Sequence, residues 1–139
     1  MKAVVSWVED VQFKAVTGTG HEITLDGPEA SGGKNAGARP MEMLLVGIGG
    51  CSTYDVVGIL KKSRQQVADC KVSVEAERAD AVPAVFTKIH LHFVVSGTKL
   101  KEKQVQKAVE LSAEKYCSAS IMLQAAGVEI SHSFEIIEI

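Results

Sequence analysis

Residues 39–60, RPMEMLLVGIGGCSTYDVVGIL, constrain the fold more than any other part of the chain. The run opens on Pro40, which suits the first turn of a helix because a missing N–H costs nothing there. Glu42 lies in that first turn, where the helix dipole favours an acid. From Leu44 to Leu60 the pattern is apolar nearly all round, so the helix is expected to be buried rather than amphipathic. Gly47, Gly49 and Gly50 each cost about 1 kcal/mol against alanine inside a helix. Close approach of another backbone along this face is the expected reason. Cys51 stands at the middle of the run.

The rest of the chain reads as short strands and two more helices. Residues 2–25 give three strands of an antiparallel meander, with turns at Glu9-Asp10 and at TGTG, 17–20. Residues 27–40, GPEASGGKNAGARP, carry four glycines and no apolar cluster. They are expected to form a mobile loop. The main helix runs to a polar tail ending at Gln66. Strands follow at 70–80 and 85–96, helices at 101–116 and 118–126, and a last strand at 128–139. The order βββ-α-ββ-α-α-β is not a regular alternation, so the class is α+β with antiparallel sheets and a long buried central helix. At 139 residues the chain is expected to form a single domain, 1–139.

Charge narrows the function. A net charge of −2 with scattered Lys and Arg gives no nucleic-acid footprint. MKAVVSWVED lacks a signal-peptide pattern. The nearly uncharged run 43–54 is too short and too rich in glycine to span a bilayer. No membrane partner and a cytoplasmic location are therefore expected. In a reducing compartment three cysteines do not make a disulfide scaffold.

The cysteines and histidines carry the chemistry on offer. A free cysteine on a buried helix is most often a small hydrophobe. Cys117, in KYCSAS, sits at a helix break where a side chain can be aimed. A spacing of 66 residues does not say whether it meets Cys51. Cys70, at the expected start of a strand, reads as structural or incidental. Asp55 follows Cys51 by one helical turn on the same face. Beside a thiol it would raise the thiol pKa, and the commoner alternative is an acid making its own hydrogen bonds. His90 and His92 share a strand face, but no third ligand is placed, so no metal is expected. GIGG lies within a helix and is not a dinucleotide fingerprint. No cofactor is expected.

Taken together, P-x-E-x-L-L at Pro40, Glu42, Leu44 and Leu45, GGCS at 49–52 and AEKYCS at 113–118 resemble the OsmC/Ohr family of thiol peroxidases. The likeness is strongest to its short YhfA-like branch and covers nearly the whole chain. It implies an OsmC-like fold, an intertwined homodimer and sites built from both subunits. It implies that Cys51 is the peroxidatic cysteine, attacking an organic hydroperoxide, and Cys117 the resolving one. The disulfide is then reduced by a dithiol, often a lipoyl group. The alternative function is an OsmC-like dimer without efficient peroxidase activity that binds a small apolar or thiol ligand at the interface. The family pattern places a glutamate directly after the proline and an arginine from the N-terminal sheet region. Here Met41 follows Pro40, the acid is Glu42, and no arginine precedes Arg39. Arg39 and Glu42 are accordingly the expected supporting residues, although Glu42 lies about half a turn out of phase with Cys51. Glu114 stands at the family's histidine position and Ser118 at its proline.

Overall fold

The computed structural model describes residues Met1–Ile139, in two compact units, Met1–Leu44 and Leu45–Ile139. In the first unit, β1 (Ala3–Glu9), β2 (Gln12–Thr17) and β3 (Glu22–Leu25) form an antiparallel meander. The expected alternation sets its register: Trp7 pairs with Phe13 and Val5 with Ala15, so these apolar side chains share one face. The β1–β2 turn falls at Asp10-Val11. Asp10 takes a left-handed φ of 46° and its carbonyl accepts the Trp7 indole N–H at 3.0 Å. Lys14–Glu22 and Lys34–Glu9 ion pairs, each 2.8 Å, lie on the exposed surface.

The loop expected to be mobile is instead tied down. The Asp26 carboxylate, 2% exposed, accepts the backbone N–H groups of Gly27, Lys34 and Ala36 at 2.7, 3.1 and 3.0 Å. The Ala36 N–H is the main influence holding its pKa below the ordinary value. Burial opposes it, and Gly27, Lys34 and the Arg39 charge add to the lowering. A 3-10 turn at Glu29–Ser31 and a parallel bridge from Leu25 to Ala38 complete the loop. An acid just before a glycine-rich stretch is what organises it, through backbone donors that composition does not reveal.

Helix α1 (Pro40–Lys62) begins in the first unit and continues into the second. It is long and apolar enough to meet the length and composition measure of a membrane span. Within the chain it buries one stripe at helical spacing, Ile48, Ser52, Val56 and Leu60, together with Gly49. The expectation of burial all round is corrected, because Leu44, Val46 and Tyr54 are 47%, 61% and 83% exposed. Within the chain, a Cβ at Gly49 would stand 3.1 Å from Val74 Cγ2, a side chain of the sheet, whereas a Cβ at Gly47 or Gly50 would meet nothing within 4 Å. The helix stops at Lys62, four residues before the expected end. Arg64 turns left-handed, with φ of 59°, and the Gln65 N–H returns to the Leu60 carbonyl.

In the second unit β4 (Gln66–Arg78), β5 (Phe86–Thr98) and β6 (Glu129–Glu138) form a sheet in that order. Cys70 lies inside β4, opposite Val95, and not at a strand start. The sequence pattern hides the first residues of β4 because a bulge between Val67 and Asp69 breaks the alternation there. β4 and β5 are antiparallel, as expected, but β5 and β6 are parallel. A helical crossover between them requires this: α2 (Glu102–Leu111), a π-helical turn (Ser112–Tyr116) and α3 (Ser118–Ala125) carry the chain back to the same end of the sheet. Ile89, Leu91, Phe93 and Val95 of β5, with Val105, Ala108 and Val109 of α2, are buried in this unit's core. The architecture is α+β, two three-stranded sheets with three α-helices.

Candidate functional site

Three elements of the second unit converge on two sulfurs. Cys51 sits midway along α1, with Asp55 one turn later on the same face. The expected helix 101–116 changes from α to π form at Ser112, and the Cys117 N–H bonds the Ser112 carbonyl at 2.8 Å. The wider turn ends with Cys117 in an extended conformation, φ −74° and ψ 103°, as the N-cap of α3. Its sulfur accepts the Ser120 N–H at 3.4 Å, the role a serine or aspartate plays at an ordinary N-cap.

Cys51 Sγ, Cys117 Sγ and a carboxylate oxygen of Asp55 all lie within 4.8 Å of one another. The two sulfurs are free thiols with unequal surroundings: Cys51 is half-buried and Cys117 fully buried. Burial pushes the Cys117 thiol above its ordinary pKa. Hydrogen bonds from the Ser52 hydroxyl, 3.3 Å away, and from the Ser120 N–H pull it back, and Cys51 raises it further. Asp55 is neither a surface acid nor wholly buried. Its Oδ2 accepts the Ser112 hydroxyl at 3.4 Å, and Ser112 Oγ also lies 3.3 Å from the Ser52 carbonyl. The sequence singled out both cysteines and Asp55 but missed Ser112 and Ser120. No side-chain signal marked Ser120, because the N–H it gives to Cys117 is backbone and any non-proline residue could supply it.

The other candidates are placed elsewhere. Arg39 and Glu42 belong to the first unit and meet each other: Glu42 Oε1 accepts the Arg39 backbone N–H at 2.9 Å, half of a capping box. The Arg39 guanidinium donates to Asn35 Oδ1 at 2.7 Å and to the Gly37 carbonyl at 3.2 Å. Cys70 is half-buried, and burial first, then Asp69, pushes its thiol up to about 11. His90 bonds Ser131 and Ser133, at 2.7 and 2.9 Å, and His92 bonds Ser133 at 2.7 Å, so serine hydroxyls occupy these ring nitrogens. Beside Asp55 and Tyr116 opens a groove of about 510 Å³, lined also by Tyr54, Ile59, Lys62 and Lys107.

The family described as OsmC-like protein matches residues 32–133, which include the helix, both site cysteines and the crossover. The chain is 50% identical over 137 residues to the protein YhfA of Escherichia coli K12, covering 99% of this chain and 98% of that one. The chain belongs to the OsmC family. Its fold is shared with a crystal structure of a hypothetical protein from Aquifex aeolicus VF5, 35% identical, with 99% and 96% of the two chains covered and a TM-score of 0.86. It is also shared with an organic hydroperoxide resistance protein, OsmC, from Legionella pneumophila, 16% identical, with 97% of each chain covered and a TM-score of 0.73.

Proposed function

We propose that the protein is a two-cysteine thiol peroxidase acting on organic hydroperoxides. The observation that carries this reading is the pairing of a half-buried Cys51 with a fully buried Cys117 inside 4.8 Å. The accessible Cys51 thiolate attacks the distal oxygen of ROOH; the O–O bond breaks, and with one proton the products are ROH and Cys51 sulfenic acid. Cys117 then attacks the Cys51 sulfur, forming the disulfide and releasing water. A dithiol of lipoyl type returns both thiols and leaves as its own disulfide. The Ser52 hydroxyl and Ser120 N–H favour the thiolate form of Cys117, both when it attacks and when it leaves. Family membership and the name of the Legionella fold neighbour support a redox role.

The test is a thiol count after adding one equivalent of cumene hydroperoxide per chain to reduced protein. Loss of two thiols within seconds, with a Cys51–Cys117 disulfide by mass spectrometry, is expected. Oxidation no faster than that of free cysteine overturns the reading. Arg39 is the proposed activating guanidinium; its side chain is held by Asn35 and the Gly37 carbonyl, and Glu42 bonds its backbone N–H. Arg39→Ala is expected to slow thiol loss, and an unchanged rate removes Arg39 from the mechanism.

The groove beside Asp55 favours a second reading, an OsmC-like binder of a small apolar or thiol ligand, its apolar wall being Tyr54, Ile59 and Tyr116. Failure of the thiol count together with saturable ligand binding quenched by Ile59→Asp would establish it. The exposed Leu44, Val46 and Tyr54 of α1 support a homodimer. Its solution mass would be twice 14.8 kDa, and a monomeric mass rejects it. A cytoplasmic location fits the reducing chemistry, and recovery of the protein outside the cytoplasmic fraction rejects it.

A further inference from the structure

We propose that the reduced site is also a zinc-binding site, in which Cys51 Sγ, Cys117 Sγ and the Asp55 carboxylate hold one Zn²⁺ per chain. Three donor atoms mutually within 4.8 Å are already close to the geometry a tetrahedral ion needs. Zn–S bonds of about 2.3 Å and Zn–O bonds of about 2.1 Å place two sulfurs about 3.8 Å apart and each sulfur about 3.6 Å from the oxygen. Contraction by at most about 1.0 Å between the sulfurs and about 1.2 Å between sulfur and oxygen separates the empty cluster from a ligated one. The donor types suit a borderline-soft divalent ion, since two thiolates select against Mg²⁺ and Ca²⁺.

The surroundings resemble the support that metal ligands usually have. Cys51 and Asp55 are spaced i, i+4 on a 23-residue helix, which fixes both on one face. The Ser112 hydroxyl lies 3.4 Å from Asp55 Oδ2, a contact that helps to orient the carboxylate. Ser52 and Ser120 donate to Cys117 Sγ, the kind of outer hydrogen bond that orients a ligating thiolate. Cys51 and Asp55 are only half-buried, and a water would supply the fourth ligand of a tetrahedral ion. Two thiolates and a carboxylate carry three negative charges once the thiols lose their protons, and Zn²⁺ offsets the repulsion that this deprotonated set would otherwise have. Binding exchanges the two thiol protons for the ion. The inference goes beyond the peroxidase reading: it uses the same thiols but no hydroperoxide, so either can fail without the other. Where both hold, zinc masks the thiols and suppresses the peroxidase.

The experiment titrates reduced, metal-free protein with Zn²⁺ against a chromophoric chelator, following proton release in parallel. One Zn²⁺ per chain with release of protons is expected. Cys51→Ser and Cys117→Ser should each lose this binding, and Cys70→Ser should retain it. Asp55→Asn should weaken it by about tenfold or more, and Ser112→Ala by about tenfold. Circular dichroism on each variant separates lost ligation from lost folding, and Asp55→Asn is the decisive variant if a cysteine variant unfolds. Binding that survives in folded Cys51→Ser, or is equally tight in Asp55→Asn, overturns the proposal. So does binding lost only in a His90→Ala, His92→Ala protein.

Discussion

Removing Cys117 should change what captures an oxidised Cys51, and the structure sets the size of the effect. A sphere of 4.8 Å radius, the distance limit between the two sulfurs, encloses about 460 Å³, so one thiol within it amounts to about 4 M. A small thiol added at about 1 mM therefore competes at a disadvantage of about four thousandfold, before orientation is counted. In wild-type protein treated with one equivalent of organic hydroperoxide and about 1 mM β-mercaptoethanol, the product should be the internal disulfide. The mixed disulfide should be a trace, about 0.03%. In Cys117→Ala the mixed disulfide on Cys51 should become the main product. Peptide mass spectrometry of quenched samples reads both ratios. Equal amounts of mixed disulfide in wild type and Cys117→Ala would refute the reasoning, because the nearby thiol would then confer no advantage.

Leu60, fully buried on α1, should cost about 2–5 kcal/mol on truncation to alanine, read as a lower urea midpoint with an unchanged slope; a loss under about 1 kcal/mol would place Leu60 outside the core. Cys70 has its pKa raised to about 11 from 9.0. The stability that its neutral form contributes is intact below pH 9 and declines as pH rises toward 11. Cys70→Val should flatten that part of the stability–pH curve, and identical curves for the two proteins would contradict it. Asp26 has a lowered pKa, so its contribution is present above the unfolded value of about 3.8 and fades as pH falls through the lower folded value. Asp26→Asn cannot accept all three N–H bonds as a carboxylate does and should speed amide exchange of Gly27, Lys34 and Ala36 at neutral pH. Unaltered exchange would mean the carboxylate does not hold the loop.

The elements whose patterns are local were legible in the chain. Alternation gave the three antiparallel strands of the meander, and Pro40 marked the start of α1. The helical phase that puts Asp55 on the face of Cys51 follows from four residues of spacing alone. Local rules failed where a backbone irregularity reset the phase, as at the bulge that hid the start of β4. They failed again in the loop, whose order comes from one carboxylate accepting distant N–H groups. The direction of β6 was not legible either, since alternation is the same in parallel and antiparallel strands and only the crossover decides between them.

The same division runs through the site. The available atoms were legible in the chain: two thiols, a carboxylate one turn from the first, and a helix break that can aim the second. That they meet is a result of packing between distant segments. Cys51 and Cys117 are 66 residues apart, and their approach depends on the π turn at Ser112–Tyr116 and on the cap at Ser120. The unequal burial of the two sulfurs is likewise a product of packing, because exposure belongs to a surface made by distant segments and not to any residue type.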